Sequence, residues 1–161
     1  MTFLSAMLAE KGFTCVQTDL NVPESSMDNS QAMMKDYESE LSSAVRLSTI
    51  PFPPVIVARG SACLIAQTYI SSNPASGMIL LSPPVSNAEL VECSKLPTPL
   101  TEFDFEPNFP IAVIASPEEV ERLRERNRIC QTPNVDVISV KDMDESQTFA
   151  EIELWLDKCG M

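Results

Sequence analysis

The sequence of 161 residues contains no histidine. Histidine is the usual general base near neutral pH and the commonest metal ligand. A chain without it cannot carry a Ser-His-Asp triad, nor most of the known catalytic zinc sites. We therefore expect neither a conventional serine hydrolase nor a metal centre, and we predict no cofactor.

Positive charge is also scarce, with 11 Lys and Arg against 23 Asp and Glu, which gives a net charge of −12. Nucleic acids and anionic membranes are polyanions, so this balance argues against both as direct partners and favours a basic protein. No apolar run reaches the roughly 18 residues that a membrane-spanning helix needs. Residues 1–11 lack a basic stretch and contain Glu10, unlike a signal or transit peptide.

The cysteines show no pattern typical of disulfides or zinc. There are 5, at positions 15, 63, 93, 130 and 159, and none forms a C-x-x-C pair. An odd number without such spacing indicates free thiols in a reducing compartment. We predict an intracellular protein, with the cytoplasm as first choice and the mitochondrion and nucleus left open.

The residues that are present alternate between short aliphatic runs and amphipathic stretches. We predict strands at 13–20, 55–59, 77–82, 109–116 and 134–140. We predict helices at 3–11, 30–47, 63–70, 117–129 and 147–159, with Gly12 ending the first and Ser30 capping the second. This alternation predicts a three-layer α/β/α domain over residues 1–161, with a mainly parallel sheet of about five strands.

For two segments the sequence leaves alternative interpretations open. Residues 85–108 are punctuated by proline and are predicted to be a short linker. Within them Phe103 and Phe105 alternate with acids, and we expect burial against the domain rather than a contact patch. The arginines between positions 122 and 128 are interpreted as one side of i,i+4 ion pairs on a solvated helix, with a site for an acidic partner as the alternative.

The run Val-Ile-Val-Ala-Arg-Gly-Ser-Ala-Cys at residues 55–63 predicts a buried strand, a sharp turn and the start of a helix. It resembles the nucleophile elbow of the α/β-hydrolase family, whose usual pattern is G-x-S-x-G. Laid over that pattern, the glycine positions hold Ala58 and Ala62, the nucleophile position holds Gly60, and its neighbours are Arg59 and Ser61. Glycine tolerates the strained turn but has no side chain that could attack a substrate.

A second phrase, Leu-Ala-Glu-Lys-Gly-Phe-Thr-Cys-Val-Gln-Thr-Asp-Leu at residues 8–20, is similar to the family's first helix and fourth strand. The resemblance covers nearly the whole chain but only the C-terminal two-thirds of the family fold. In the family, a further strand lies between the counterparts of 13–20 and 55–59. Because an unpaired edge invites aggregation, we expect either that 13–20 moves beside 55–59 or that a partner completes the sheet.

The resemblance also implies where the other catalytic groups would lie. The family's acid follows its seventh strand, where Glu118 and Glu119 are weak matches. Its histidine follows the eighth strand, where residues 141–145 contain none. We therefore interpret the chain as a non-catalytic, α/β-hydrolase-like scaffold or accessory subunit that acts through protein contacts, with homo-oligomerisation as a further option.

Two alternatives remain. One is a cryptic hydrolase or transferase that uses Ser61 or Cys63, with Lys141 as its base, since a thiol pKa can fall at a helix N-terminus. The ordinary roles, an N-cap for Ser61 and a small core residue for Cys63, are favoured over this. The other is a small-molecule receptor built on the residual pocket, although a pocket without a cap would be open.

Overall fold

Four strands form one sheet, in which neighbouring strands run parallel in the order β1-β2-β3-β4. The computed structural model describes residues 1–21 and 27–161. The strands are Val55–Arg59 (β1), Gly77–Leu81 (β2), Ile111–Ala115 (β3) and Val135–Ser139 (β4). The helices are Thr2–Glu10 (α1), Ser30–Leu47 (α2), Ala62–Ile70 (α3), Asn87–Glu92 (α4), Pro117–Arg126 (α5) and Glu145–Cys159 (α6).

The sheet is covered on both faces, which confirms the predicted α/β/α architecture. One face carries α3 and α5, through side chains such as Tyr69 and Leu123. The other carries α1 and α6, through side chains such as Leu8, Ile152 and Trp155. Every residue of β2 and β3 is buried, because parallel strands between two helical layers have no solvent face.

Residues 13–20 do not form the predicted strand. No described strand pairs with them, and the sheet has four strands. Gly12, at φ +97°, ends α1 as predicted, and the N–H of Phe13 donates to the Leu8 carbonyl at 3.1 Å. Phe13 packs on the core of α1 and α6, whereas residues 14–19 are exposed. The prediction failed because strand-like side chains do not make a strand without a backbone partner.

The predicted cap of α2 is also wrong by one residue. Asn29 caps this helix, accepting the Ala32 N–H on Oδ1 at 3.0 Å. Ser30 is fully buried instead and pairs with Thr98, donating its hydroxyl to the Thr98 carbonyl at 2.5 Å and accepting the Thr98 N–H at 2.9 Å. Asparagine and serine are equally good caps, so adjacent candidates could not be separated by residue type.

Residues 85–108 are a packed part of the domain rather than a free linker. They contain α4, and they bury Leu90 and Leu96 against Met34 of α2 and Leu64 of α3. Both phenylalanines of this segment are half-buried against the core clusters, as expected.

Two of the four arginines at and after α5 pair with residues 85–108 rather than within their own helix. Arg122 lies 4.0 Å from Glu89 and Arg128 lies 3.4 Å from Glu106. Among the described residues, α5 contains no internal ion pair of the predicted kind. Exposed pairs of this kind each contribute little stability, so they help to orient residues 85–108 but add little to the free energy of unfolding.

Asp136 of β4 connects the sheet to α6. Its carboxylate accepts the Lys158 ammonium at 2.7 Å and the Trp155 indole N–H at 3.0 Å. The bond from Lys158, helped by that from Trp155, outweighs desolvation and holds the pKa of Asp136 below its usual value.

We expect Asp136→Asn to lower the free energy of unfolding at pH 7 by about 0.5–1 kcal/mol, because the amide loses the ion pair and weakens the indole bond. Since the folded pKa of Asp136 lies below the unfolded value of about 3.9, this stabilisation is present above that value and is lost as the pH falls through the folded pKa. Urea denaturation followed by circular dichroism at pH 7 and about pH 3 measures both effects. The exposed Asp104→Asn serves as the control, and an equal loss at both pH values would contradict the assignment.

Candidate functional site

The carboxyl ends of the four strands lie along one edge of the sheet, and the predicted candidates lie on the loops and helix starts that follow them. Gly60 follows β1, Ser82 follows β2, Ser116 follows β3 and Val140 follows β4. Neighbouring strands lie about 4.8 Å apart, so the ends of β1 and β4 are separated by roughly 14 Å. Strand order therefore decides which of these residues can act together.

The turn after β1 has the predicted strand–turn–helix form. Gly60 adopts φ +59°, and its N–H donates to the Leu81 carbonyl at 2.9 Å. A Cβ added at Gly60 would meet no atom within 4 Å, so the backbone angle rather than crowding favours glycine here. Gly60, at the position that a nucleophile occupies in the similar motif, therefore allows the tight turn but provides no reactive group.

Ser61 lies at the N-cap position of α3, as expected, but its side chain makes no capping hydrogen bond. Its backbone is already helical at φ −64° and ψ −24°, whereas a capping residue usually has an extended backbone. The side chain is exposed, and no described base bonds to it. Nothing in this arrangement activates the hydroxyl as a nucleophile.

Cys63 is a core residue. Its side chain is 0% exposed, and its Sγ lies 3.5 Å from the Ala58 carbonyl and 3.8 Å from the Leu81 carbonyl. Burial raises the pKa of this thiol to about 12. The alternative in which Cys63 is a nucleophile requires a lowered thiol pKa, whereas burial raises it and outweighs the hydrogen bonds to backbone carbonyls.

Of the two candidate acids, Glu119 is held in place and Glu118 is exposed. The carboxylate of Glu119 accepts the N–H of Ser116 at 3.0 Å and its hydroxyl at 2.9 Å, which completes a capping box for α5. Desolvation would raise the pKa of Glu119, but the bonds from Ser116 and Ser82, with the charge of Arg122, outweigh it and lower the pKa. Glu119 is therefore an ionised structural cap.

Ser82 is the residue that sequence reasoning missed. Its φ of +45° is uncommon for a residue with a side chain. Its hydroxyl donates to Glu119 at 3.2 Å, which joins the end of β2 to the start of α5. No local signal predicts this conformation, because the residue before a proline favours an extended backbone with negative φ. Its partner is an ionised cap of lowered pKa, so the pair is a weak candidate for catalysis.

Lys141 follows β4 at the far end of the edge. Because the ends of β1 and β4 are roughly 14 Å apart, Lys141 cannot take a proton from Ser61 or Cys63. The structure thus does not bring the predicted catalytic candidates together.

A groove of about 750 Å³ runs along the outer edge of β1. Its walls come from α1 and α6 on one sheet face, from α2 and α3 on the other, and from residues 13–20 and 48–54. Most of the lining is apolar, and Arg59 and Asp19 are its only charged residues among those described. This is the place where a fifth strand would lie.

The backbone of β1 is paired on one side only. Pro54 accepts from Ser76, and Gly60 donates to Leu81, both towards β2. Parallel strands alternate the direction of their backbone groups, so Val55, Val57 and Arg59 present N–H and C=O to the groove. No described residue bonds to these groups.

Within residues 1–21 and 27–161, no three Cys, Asp or Glu side chains are grouped closely enough to hold a metal ion. In the same part of the chain, no helix has the length and apolar character needed to cross a membrane. No protein-family model matches the chain, and comparisons with curated proteins and solved structures also found no match.

The cysteines provide a test of the core assignment. We expect iodoacetamide at pH 7.5 to modify the exposed Cys15 and Cys93 at least about a hundredfold faster than Cys63, because Cys63 is buried and stays protonated. Peptide mapping by mass spectrometry gives the rate for each thiol, and unfolding in urea should abolish the difference. Preferential labelling of Cys63 in the native protein would restore it as a nucleophile.

Proposed function

We propose that this chain is a non-catalytic, α/β-hydrolase-like domain that acts as a scaffold or accessory subunit through protein contacts. The observation that carries the proposal is the open edge of β1 at the floor of an apolar groove. A partner's extended segment fits there as an added strand.

The energetic argument rests on backbone groups. N–H and C=O groups away from water are costly unless they are bonded, and exposed sheet edges are normally shortened, charged or covered. β1 has no proline or lysine, and its Val55 and Val57 are half-buried. Around the groove, Phe52 and Val16 are 73% and 56% exposed. An apolar patch of this kind is typical of an interaction surface.

The chemistry at the carboxyl edge supports a non-catalytic role. Gly60 offers no nucleophile, Cys63 is buried with a raised pKa, and Glu119 is used as a helix cap. The glycine turn after β1 supports kinship with α/β hydrolases, and the absence of histidine from the chain supports loss of their activity.

For the cellular setting we keep the reducing, intracellular location, with the cytoplasm first. It is supported by the cysteines, all five of which are free thiols.

A small-molecule receptor is the second candidate, because a volume of about 750 Å³ lies within the range of ligand pockets, roughly 300–1,000 Å³. A compact ligand would fill the groove but would leave most outward backbone groups of β1 without partners. This difference favours an extended peptide segment over a compact ligand as the occupant of the groove.

The proposal predicts a stoichiometric partner that contacts the groove. The tagged full chain, carrying the photo-crosslinker p-benzoylphenylalanine in place of Phe52, is purified from its own cells after irradiation. The same crosslinker in place of Leu154, which is 62% exposed on α6, is the control. We expect a native mass above that of the monomer and crosslinks from position 52 only. A monomeric native mass without crosslinks, or crosslinks from position 154 alone, would refute the proposal.

A further inference from the structure

We infer that the occupant of the groove is the C-terminal end of a partner chain, running parallel to β1, with its free carboxylate beside Arg59. This inference rests on the proposed function and names the chemistry of the partner. Three observations carry it: the outward backbone groups of β1, the exposed guanidinium of Arg59 at the carboxyl end of β1, and the apolar walls of the groove.

A small recess of about 20 Å³ lies at the carboxyl end of β1. Met1, Leu4 and Arg59 line both this recess and the groove, so the two lie side by side. Space of this size holds about one water molecule or one carboxylate oxygen. Arg59 is exposed and has no ion pair with a described residue. A guanidinium with free donors at the end of an apolar groove is suited to bind a carboxylate.

The recess is also lined by Thr148, in the first turn of α6. Thr148 is only 6% exposed, and its hydroxyl has no hydrogen-bond partner in the structure. A buried hydroxyl without a partner is costly, but this oxygen is closed to solvent, so an anion in the recess does not reach it. The start of α6 carries partial positive charge, but the Asp144 carboxylate already caps it by accepting the Gln147 N–H at 2.9 Å. Arg59 is therefore the group that favours an anion at this end of the groove.

Two carboxylates at the start of α6, those of Asp144 and Glu145, oppose this site. Glu145 lines the same recess and is exposed to solvent. Its charge repels an incoming anion, although solvent screens the repulsion. This repulsion provides a second test. Removing the charge of Glu145 should strengthen binding of the carboxylate, whereas removing the charge of Arg59 should weaken it.

A second copy of this chain does not fit as the occupant. β1 lies at the floor of the groove, between walls from α1 and α6 on one side and from α2 and α3 on the other. The β1 of a second copy is recessed in the same way, so the two edges cannot meet. A single extended segment can enter, and five residues match the length of β1.

The walls and the recess together set the chemistry of the segment. Both faces of an inserted strand meet apolar walls, which favours valine or isoleucine at every position. A side chain would point at one of these walls, whereas a terminal main-chain carboxylate continues along the strand axis. A parallel strand ends at Arg59, and every described strand pair in this sheet is parallel.

The test uses the full chain and a synthetic peptide that has two lysines for solubility, then five alternating valines and isoleucines, and a free carboxylate. Fluorescence anisotropy compares it with the same peptide amidated at its C-terminus. We expect amidation to weaken binding about fivefold to tenfold at low salt, and less at high salt. Arg59→Gln should remove this difference, Glu145→Gln should enlarge it, and the distant, exposed Arg126→Gln should leave it unchanged.

Two further measurements locate the peptide at β1. Two peptides are N-methylated on alternate residues, in complementary patterns. In one pattern the methyl groups remove the N–H donors that face β1, and in the other pattern those donors are kept. We expect one of the two methylation patterns to abolish binding and the other to preserve it. Val57→Pro removes an outward N–H without touching the ladder to β2, and should also abolish binding. Thermal unfolding shows that this variant is folded.

The outcomes separate the inference from the proposed function. Equal affinity for the acid and the amide, or no effect of Arg59→Gln on their difference, overturns the inference. The same holds if the peptide does not bind, or if both N-methylated peptides bind equally well. In any of these cases, crosslinks from position 52 to a stoichiometric partner would still uphold the proposed function. Crosslinks to residues 13–20 of the same chain would instead identify the chain's own segment as the occupant.

Discussion

The parallel backbone ladder from β1 to β4 is the constraint on which the other features depend. It buries β2 and β3 completely between two helical layers, and so creates two separate cores. It sets the order of the loops at the carboxyl edge, which keeps Lys141 away from Ser61. Within the part of the chain that the structure describes, it also leaves β1 with partners on one side only, at the floor of an apolar groove. A fold with this topology can be well packed and still be incomplete at one edge.

The balance between burial and hydrogen bonding decides the protonation state of the side chains that resemble catalytic groups. Cys63 and Glu119 both lie close to helix starts, where negative charge is favoured, yet their pKa values move in opposite directions. The thiol has only weak contacts with carbonyl oxygens, so desolvation dominates. The carboxylate accepts hydrogen bonds from Ser116 and Ser82, so desolvation is outweighed. Each group is thereby stabilised in an unreactive state: one as a buried thiol, the other as a cap.

Long-range polar contacts convert an apparent linker into part of the domain. Ser30 and Thr98 are separated by 68 residues, and they exchange hydrogen bonds that satisfy both the backbone and the side chains. Glu102 accepts the N–H of Asn87 at 2.8 Å at the start of α4. These contacts hold residues 85–108 over the ends of α2 and α3, away from the groove.

The sequence by itself determined the elements whose signals are local. Aliphatic runs specified the four strands, helical periodicity specified the long helices, and glycine specified the turns at Gly12 and Gly60. Tertiary structure decided what depends on distant residues. It left 13–20 unpaired, buried Ser30 where a cap was expected, raised the pKa of Cys63, and joined Ser82 to Glu119. The physical reason is that strand pairing and desolvation depend on which distant segments meet, whereas helix and turn preferences act within a few residues.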